Sequence, residues 1–241
     1  MRWKAVLLAA SLGALLGSAA LAQTPLGQSR QLLLVLTDDW SSADGWLQRF
    51  ERTAKSAWKP AGAPVPVVVG RNGLAWGRER QSSTGPTKRE RDGKSPAGIY
   101  RLGVAFGQSK RKLDRMRMPY RFLADNVECV DDVRSGHYNR LVTQQQVGQP
   151  DWTSSEKMWR EPLYKWGVVV EYNASRPERG AGSCIFLHAW SGPGKGTAGC
   201  TAMAESNLVE IMQWLDSRKQ PVLVQLPRAE YEQLKTEWKL P

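Results

Sequence analysis

Histidine is almost missing from this sequence of 241 residues: His137 and His188 are the only two. A histidine-rich metal centre is therefore excluded. The one acidic pair that invites a metal, Asp131-Asp132, has no accompanying His/Cys/carboxylate cluster at metal-ligand spacing. No bound metal and no cofactor is expected. Cysteine is scarce and odd in number, with Cys129, Cys184 and Cys200, so one thiol at least stays unpaired within the chain. No internal repeat is visible, which removes solenoids and propellers. After residue 21 no apolar run is long enough to cross a bilayer. Acidic residues are in deficit, 23 against 34 Lys and Arg, for a formal net charge of +11. Such a balance suits an anionic partner or plain solubility.

The one long apolar stretch lies at the start. Met1-Arg2-Trp3-Lys4 is basic, Ala5–Leu21 is rich in Ala and Leu, and Ala20-Leu21-Ala22 has the small-x-small form of a cleavage site. This predicts a signal peptide over residues 1–22 and a single domain over 23–241, with no stable membrane insertion after cleavage. Removal of Arg2 and Lys4 lowers the net charge to +9. Export, most simply to the periplasm, argues against nucleic acid as the anionic partner. It also makes a free thiol unusual, because oxidising compartments favour pairing.

The pattern along the rest of the chain is rich in strands. Gln31–Thr37 (QLLLVLT), Val65–Val69, Trp166–Tyr172, Cys184–His188 and Pro221–Leu226 read as strands. Helices are expected over Ser41–Trp58, where Trp46, Phe50, Ala54 and Ala57 share a face, over the Leu208, Ile211, Met212, Leu215 series, and over Arg228–Trp238. Residues 78–98 read as a polar loop. Residues 107–165, weakly periodic, read as an irregular lid over a functional cleft. These elements predict an α+β, β-rich domain rather than a doubly wound sheet.

Chemistry concentrates in Phe186-Leu187-His188-Ala189-Trp190-Ser191-Gly192-Pro193-Gly194-Lys195-Gly196-Thr197-Ala198-Gly199-Cys200-Thr201. A strand ends in His, a Gly/Pro loop follows, and Gly-Cys is expected at the mouth of a helix. A thiol attacks as its thiolate, which a nearby imidazole and the amides of a helix start favour. Gly199 is expected to let the chain turn sharply so that local amides face an oxyanion.

Thr197-Ala198-Gly199-Cys200 resembles the Ser/Thr-x-Gly-Cys element of the L,D-transpeptidase (YkuD) family. Arg91-Asp92-Gly93-Lys94-Ser95-Pro96-Ala97-Gly98-Ile99-Tyr100 resembles the same family's D-G-K-T-P-x-G segment. The likeness runs from about residue 71 to 226. It implies a mixed-sheet, sandwich-like catalytic domain with a few peripheral helices. It further implies that Cys200 attacks the carbonyl of the third residue of a peptidoglycan stem peptide, usually a diamino acid. His188 is then the base, the backbone carbonyl of Ala189 orients it, and the N–H groups of Gly199 and Cys200 hold the oxyanion. Many members carry His before the Gly-Cys and Arg soon after it; Ala198 and Thr201-Ala202 stand here instead, which marks a divergent branch.

With Cys200 assigned to chemistry, Cys129 and Cys184 remain for a disulfide, which would pin the lid beside the His188 strand. Trp190, Thr197, Thr201, Arg160 and Lys195 are the candidate substrate contacts, and Trp152, Trp159 and Trp166 fall near the same cleft in sequence. His137 is a weaker candidate for any role. The acyl group passes to an amine or to water, so a transpeptidase, an L,D-carboxypeptidase and a hydrolase of wall-anchored protein linkages share one expected site. A papain-like peptidase has the opposite order of Cys and His. A non-catalytic, basic wall-binding domain is the alternative of another class.

Overall fold

The computed structural model describes residues 25–54, 56–78 and 85–241; the expected signal peptide lies outside them. Among the described residues the strands are β1 (Gln31–Thr37), β2 (Asp44–Glu51), β3 (Lys59–Pro60), β4 (Val65–Val68), β5 (Leu74–Trp76), β6 (Ser95–Gly107), β7 (Tyr120–Phe122), β8 (Val127–Val130), β9 (Leu141–Thr143), β10 (Ser155–Lys157), β11 (Trp166–Val170), β12 (Phe186–Ala189), β13 (Thr201–Met203) and β14 (Val222–Pro227). The helices are α1 (Gln144–Val147), α2 (Glu205–Trp214) and α3 (Arg228–Trp238). The domain is β-rich with mixed sheets and few helices, the α+β class expected.

One mixed sheet forms the body. Its strands run β1, β14, β6, β11, β12, β13, β4, β2, and β2 pairs back onto β1. The hydrogen-bonded ladder therefore closes into a ring of eight strands, and the layers of the expected sandwich are joined through their edges. β1 runs parallel to β14 and β12 runs parallel to β13; β3, β5 and β7 extend the ring. Leu32, Leu33, Val35, Leu47, Val67, Leu187, Met203 and Val224 fill the interior. α2 lies against β11 and β12 through Leu208, Ile211 and Met212, and α3 lies against β14 and β1.

The helix expected over Ser41–Trp58 is absent, and β2 occupies its centre. Ser41 and Ser42 cap nothing. Their N–H groups donate to Asp39 Oδ1 at 2.7 and 2.8 Å, in a turn that delivers the chain to β2. Leu47 and Arg49 face inward while Trp46 is 57% exposed. Two pairing partners, β1 and β4, override a weak helical period.

Residues 107–165 are more regular than an open lid. They hold a separate antiparallel sheet in the order β10-β8-β9, and the disulfide Cys129–Cys184 fastens β8 to the segment entering β12. A second apolar cluster (Phe106, Val127, Met158, Tyr164, Phe186 and Cys200 among its members) fills the space between this small sheet and the barrel. The polar loop expected over 78–98 ends four residues early, because Ser95 already pairs with Leu74 as β6 begins.

Candidate active site

Cys200 immediately precedes β13, and α2 begins only at Glu205. The expected helix mouth is therefore not what surrounds the thiol. Thr201-Ala202-Met203 are fully inside and pair with β12, and Ala202 and Met203 also pair with β4, so the chain continues as strand. The parallel register places Leu187 beside Thr201 and His188 beside Ala202, which carries Cys200 alongside Phe186. The Phe186 N–H donates to Cys200 Sγ at 3.3 Å, and Sγ lies 3.5 Å from the Cys184 carbonyl.

The backbone of Cys200 is held by both motif segments. Its carbonyl accepts from Thr197 Oγ1 at 2.6 Å and from Ser95 Oγ at 3.0 Å, and Ser95 Oγ also accepts from the Gly70 N–H. Asp92 organises the turn before Ser95, accepting from Lys88 Nζ, Arg89 N and Lys94 N within 2.9 Å. Gly93 at φ +68° completes that turn. Gly199 serves close approach rather than a sharp turn: a Cβ there would lie 3.1 Å from the Lys94 carbonyl oxygen and 3.3 Å from Ile185.

His188 Nδ1 lies 2.6 Å from the Ala189 carbonyl oxygen. A carbonyl only accepts, so Nδ1 carries the hydrogen and Nε2 is left with its lone pair. Burial lowers the imidazole pKa, opposed by Ala189 and Glu161, which keeps the ring neutral at neutral pH. Burial also pushes the Cys200 thiol well above its usual range, and the carboxyl of Glu156 adds to that. At rest the pair is thus a neutral thiol and a neutral imidazole.

Both side chains open on one cleft of about 260 Å³. Trp190, Thr197 and Lys195 line it as expected, and so does Gly199. Thr201 does not. It is buried with its hydroxyl donating to Gln225, because alternation along β13 turns it to the core. Arg160 lies outside the lining, stacked 4.2 Å over the ring of Trp159. Trp152, Trp159, Trp166 and His137 are also absent from the lining; His137 packs edge-on to Trp152 at 5.7 Å. The residues that sequence reasoning missed are Ser95, Glu156 and Tyr164. Tyr164 packs edge-on against His188 with ring centres 5.1 Å apart, and its hydroxyl donates to Glu156 Oε2 at 2.5 Å. Ser95 stood within a motif already singled out; the other two carried no local signal.

A thiol and a neutral imidazole opening on one cleft of a mixed β-barrel are the parts of a cysteine acyl-transfer site. Residues 53–224 match the family model of the L,D-transpeptidase catalytic domain, YkuD, and the chain belongs to that family. It is an L,D-transpeptidase-like enzyme with peptidoglycan as the implied substrate. No curated protein sequence matches it.

Proposed function

We propose that the chain is an exported cysteine acyltransferase that cleaves peptidoglycan stem peptides after the third, diamino acid residue. The observation that supports this best is the tautomer of His188: with Nδ1 tied to Ala189, Nε2 is the acceptor on a ring that shares the cleft with Cys200. The Sγ–H proton passes to Nε2 as sulfur bonds to the scissile carbonyl carbon. The tetrahedral intermediate collapses, the C–N bond breaks, and His188 returns the proton to the departing amine of D-alanine. A thioester on Cys200 remains, and an amine or water then takes the acyl group.

The neutral resting pair fits this sequence, since the charges appear only as the substrate is attacked. The Gly199 N–H donates to Thr197 Oγ1 at 3.0 Å, so it must exchange that acceptor before it can hold an oxyanion. Trp190 and Lys195 offer the stem peptide an aromatic wall and a cation. Residues 1–22 are the export signal in this reading, with the periplasm as destination, and a wall-anchored protein linkage is a second substrate of the same chemistry.

Intact-mass spectrometry tests the nucleophile. Relatives in this family are acylated by carbapenems, so wild type is expected to gain one carbapenem and Cys200→Ala none. Defined muropeptides then identify the acceptor from the products. A wild-type chain that stays unmodified and leaves tetrapeptide stems intact would sink the proposal.

A further inference from the structure

We propose that Glu156 and Tyr164 form a positioning pair for the Cys200 thiol, in which the protonated carboxyl releases the Tyr164 hydroxyl hydrogen toward sulfur and the ionised carboxylate takes it away. The inference rests on Cys200 being the nucleophile.

Tyr164 ends a 3-10 turn over Pro162–Tyr164 that is capped by the Glu161 carboxylate, which accepts from Leu163 N at 3.1 Å. Its ring is wedged edge-on among Phe106, Phe186 and His188, with centres 5.8, 5.5 and 5.1 Å away. The ring is thereby fixed, and the hydroxyl bonds Glu156 in the same cleft lining and apolar cluster as Cys200. Glu156 comes from the other wall. It lies on β10 opposite Cys129 of β8, and the Cys129–Cys184 bridge fastens that strand to the segment whose carbonyl faces Sγ.

A tyrosine hydroxyl has one hydrogen to give. Beside a carboxylate it points there, as its 2.5 Å bond to Oε2 records. Beside a carboxylic acid it accepts, and its own hydrogen is free for sulfur. A donor on sulfur favours thiolate, whereas a neighbouring negative charge disfavours it. Protonation of Glu156 therefore helps the nucleophile twice, by removing a charge and by supplying a hydrogen bond.

The surroundings hold Glu156 near its midpoint at neutral pH. Burial, first, then Asp131, Glu161 and Glu90 raise it to about 7, against the hydrogen bond from Tyr164. Of the cations nearby, Lys88 is paired with Asp92, Lys157 with Glu128, and Arg91 is bonded to the Ser154 hydroxyl, while Lys195 lines the same cleft. Among the described residues no salt bridge reaches Glu156. Lys88 and His188 are the other titratable groups facing the thiol and the tyrosine ring.

The test is the pH dependence of alkylation of Cys200 by iodoacetamide, read by intact mass; the other two cysteines are bonded to each other, so one adduct reports one thiol. Glu156→Gln, which keeps the shape and donates to the tyrosine oxygen, is expected to shift the profile about one unit toward lower pH. Tyr164→Phe is expected to shift it toward higher pH. Wild type should rise over a broader range than a single titration, because the two groups are linked. A Glu156→Gln profile that superimposes on wild type overturns the proposal, and so does a Tyr164→Phe profile that does. If neither variant folds, a wild-type curve with the slope of one titrating group overturns it alone. Alkylation needs no wall substrate, so failure of the pair leaves carbapenem acylation of Cys200 unaffected, and failure of that acylation leaves these profiles readable.

Discussion

His188 is made ready by two opposing influences. Burial keeps its ring uncharged, while the Ala189 carbonyl fixes which nitrogen carries the hydrogen. The Ala189 carbonyl orients the ring without an acidic third residue, and Glu156, one of four carboxyl groups lining the cleft, is bonded to the Tyr164 hydroxyl instead. That acid has a cost that depends on pH. Its carboxyl titrates near 4.5 when free and about 7 when folded. Between those values the folded chain keeps a proton that the unfolded chain releases, so stability falls as pH rises through the window, by at most about 3 kcal/mol. Glu156→Gln removes the penalty. Thermal melts are expected to show the variant gaining over wild type between pH 5 and pH 8, and equal gains at both pH values would contradict this. Cys200 and His188 draw attention in the sequence because one short segment carries both, and the family resemblance points to Ala189. Glu156 and Tyr164 do not, because each reaches the cleft only through tertiary packing. Thr201 misleads for a related reason: next to Cys200 in sequence, it is turned to the core on a strand.

At the scale of elements, the small sheet of β8, β9 and β10 supplies the acidic wall of the cleft, and the disulfide is its covalent tie to the barrel. Closing a loop between residues 55 apart is worth about 4 kcal/mol through the unfolded chain. Replacing Cys129 and Cys184 together by Ala is expected to lower the urea midpoint of unfolding and to slow carbapenem acylation of Cys200, because the carbonyl that faces Sγ belongs to Cys184. An unchanged acylation rate would show that packing alone holds this wall. The continuous apolar runs of β1 and β14 and the helical spacing of α2 are readable without the structure. β2 is not. One of its inward residues is Arg49, which pairs with Glu210 of α2 at 2.5 Å, so the strand lacks an apolar alternation to betray it.

For the whole molecule, the family match begins at residue 53, yet the barrel does not. β1 and β2 lie before it and contribute Leu32, Leu33, Leu34, Val35 and Leu47 to the core, each worth roughly 1.5–3 kcal/mol on full burial. A chain starting at residue 53 retains Cys200, His188 and both motif segments. It is nonetheless expected to show no cooperative thermal transition, since β14 and β4 each lose a partner and the ring opens. Calorimetry of the two lengths decides the point, and a sharp transition in the shorter chain would refute it. Mixed, β-rich character is evident from composition and pattern; closure is not, because it depends on one pairing, β1 with β2, whose second strand reads as a helix.

The parallel pairing of β1 with β14 sets the timing of folding. Residues 32–37 wait for residues 222–227, nearly two hundred positions later, before the ladder between them can form. Contacts so distant in the chain come late, after the entropy of a long loop has been surrendered. Without residues 222–227 the barrel is an open sheet with an unfilled place, and the last strand in the chain is the one that locks the first.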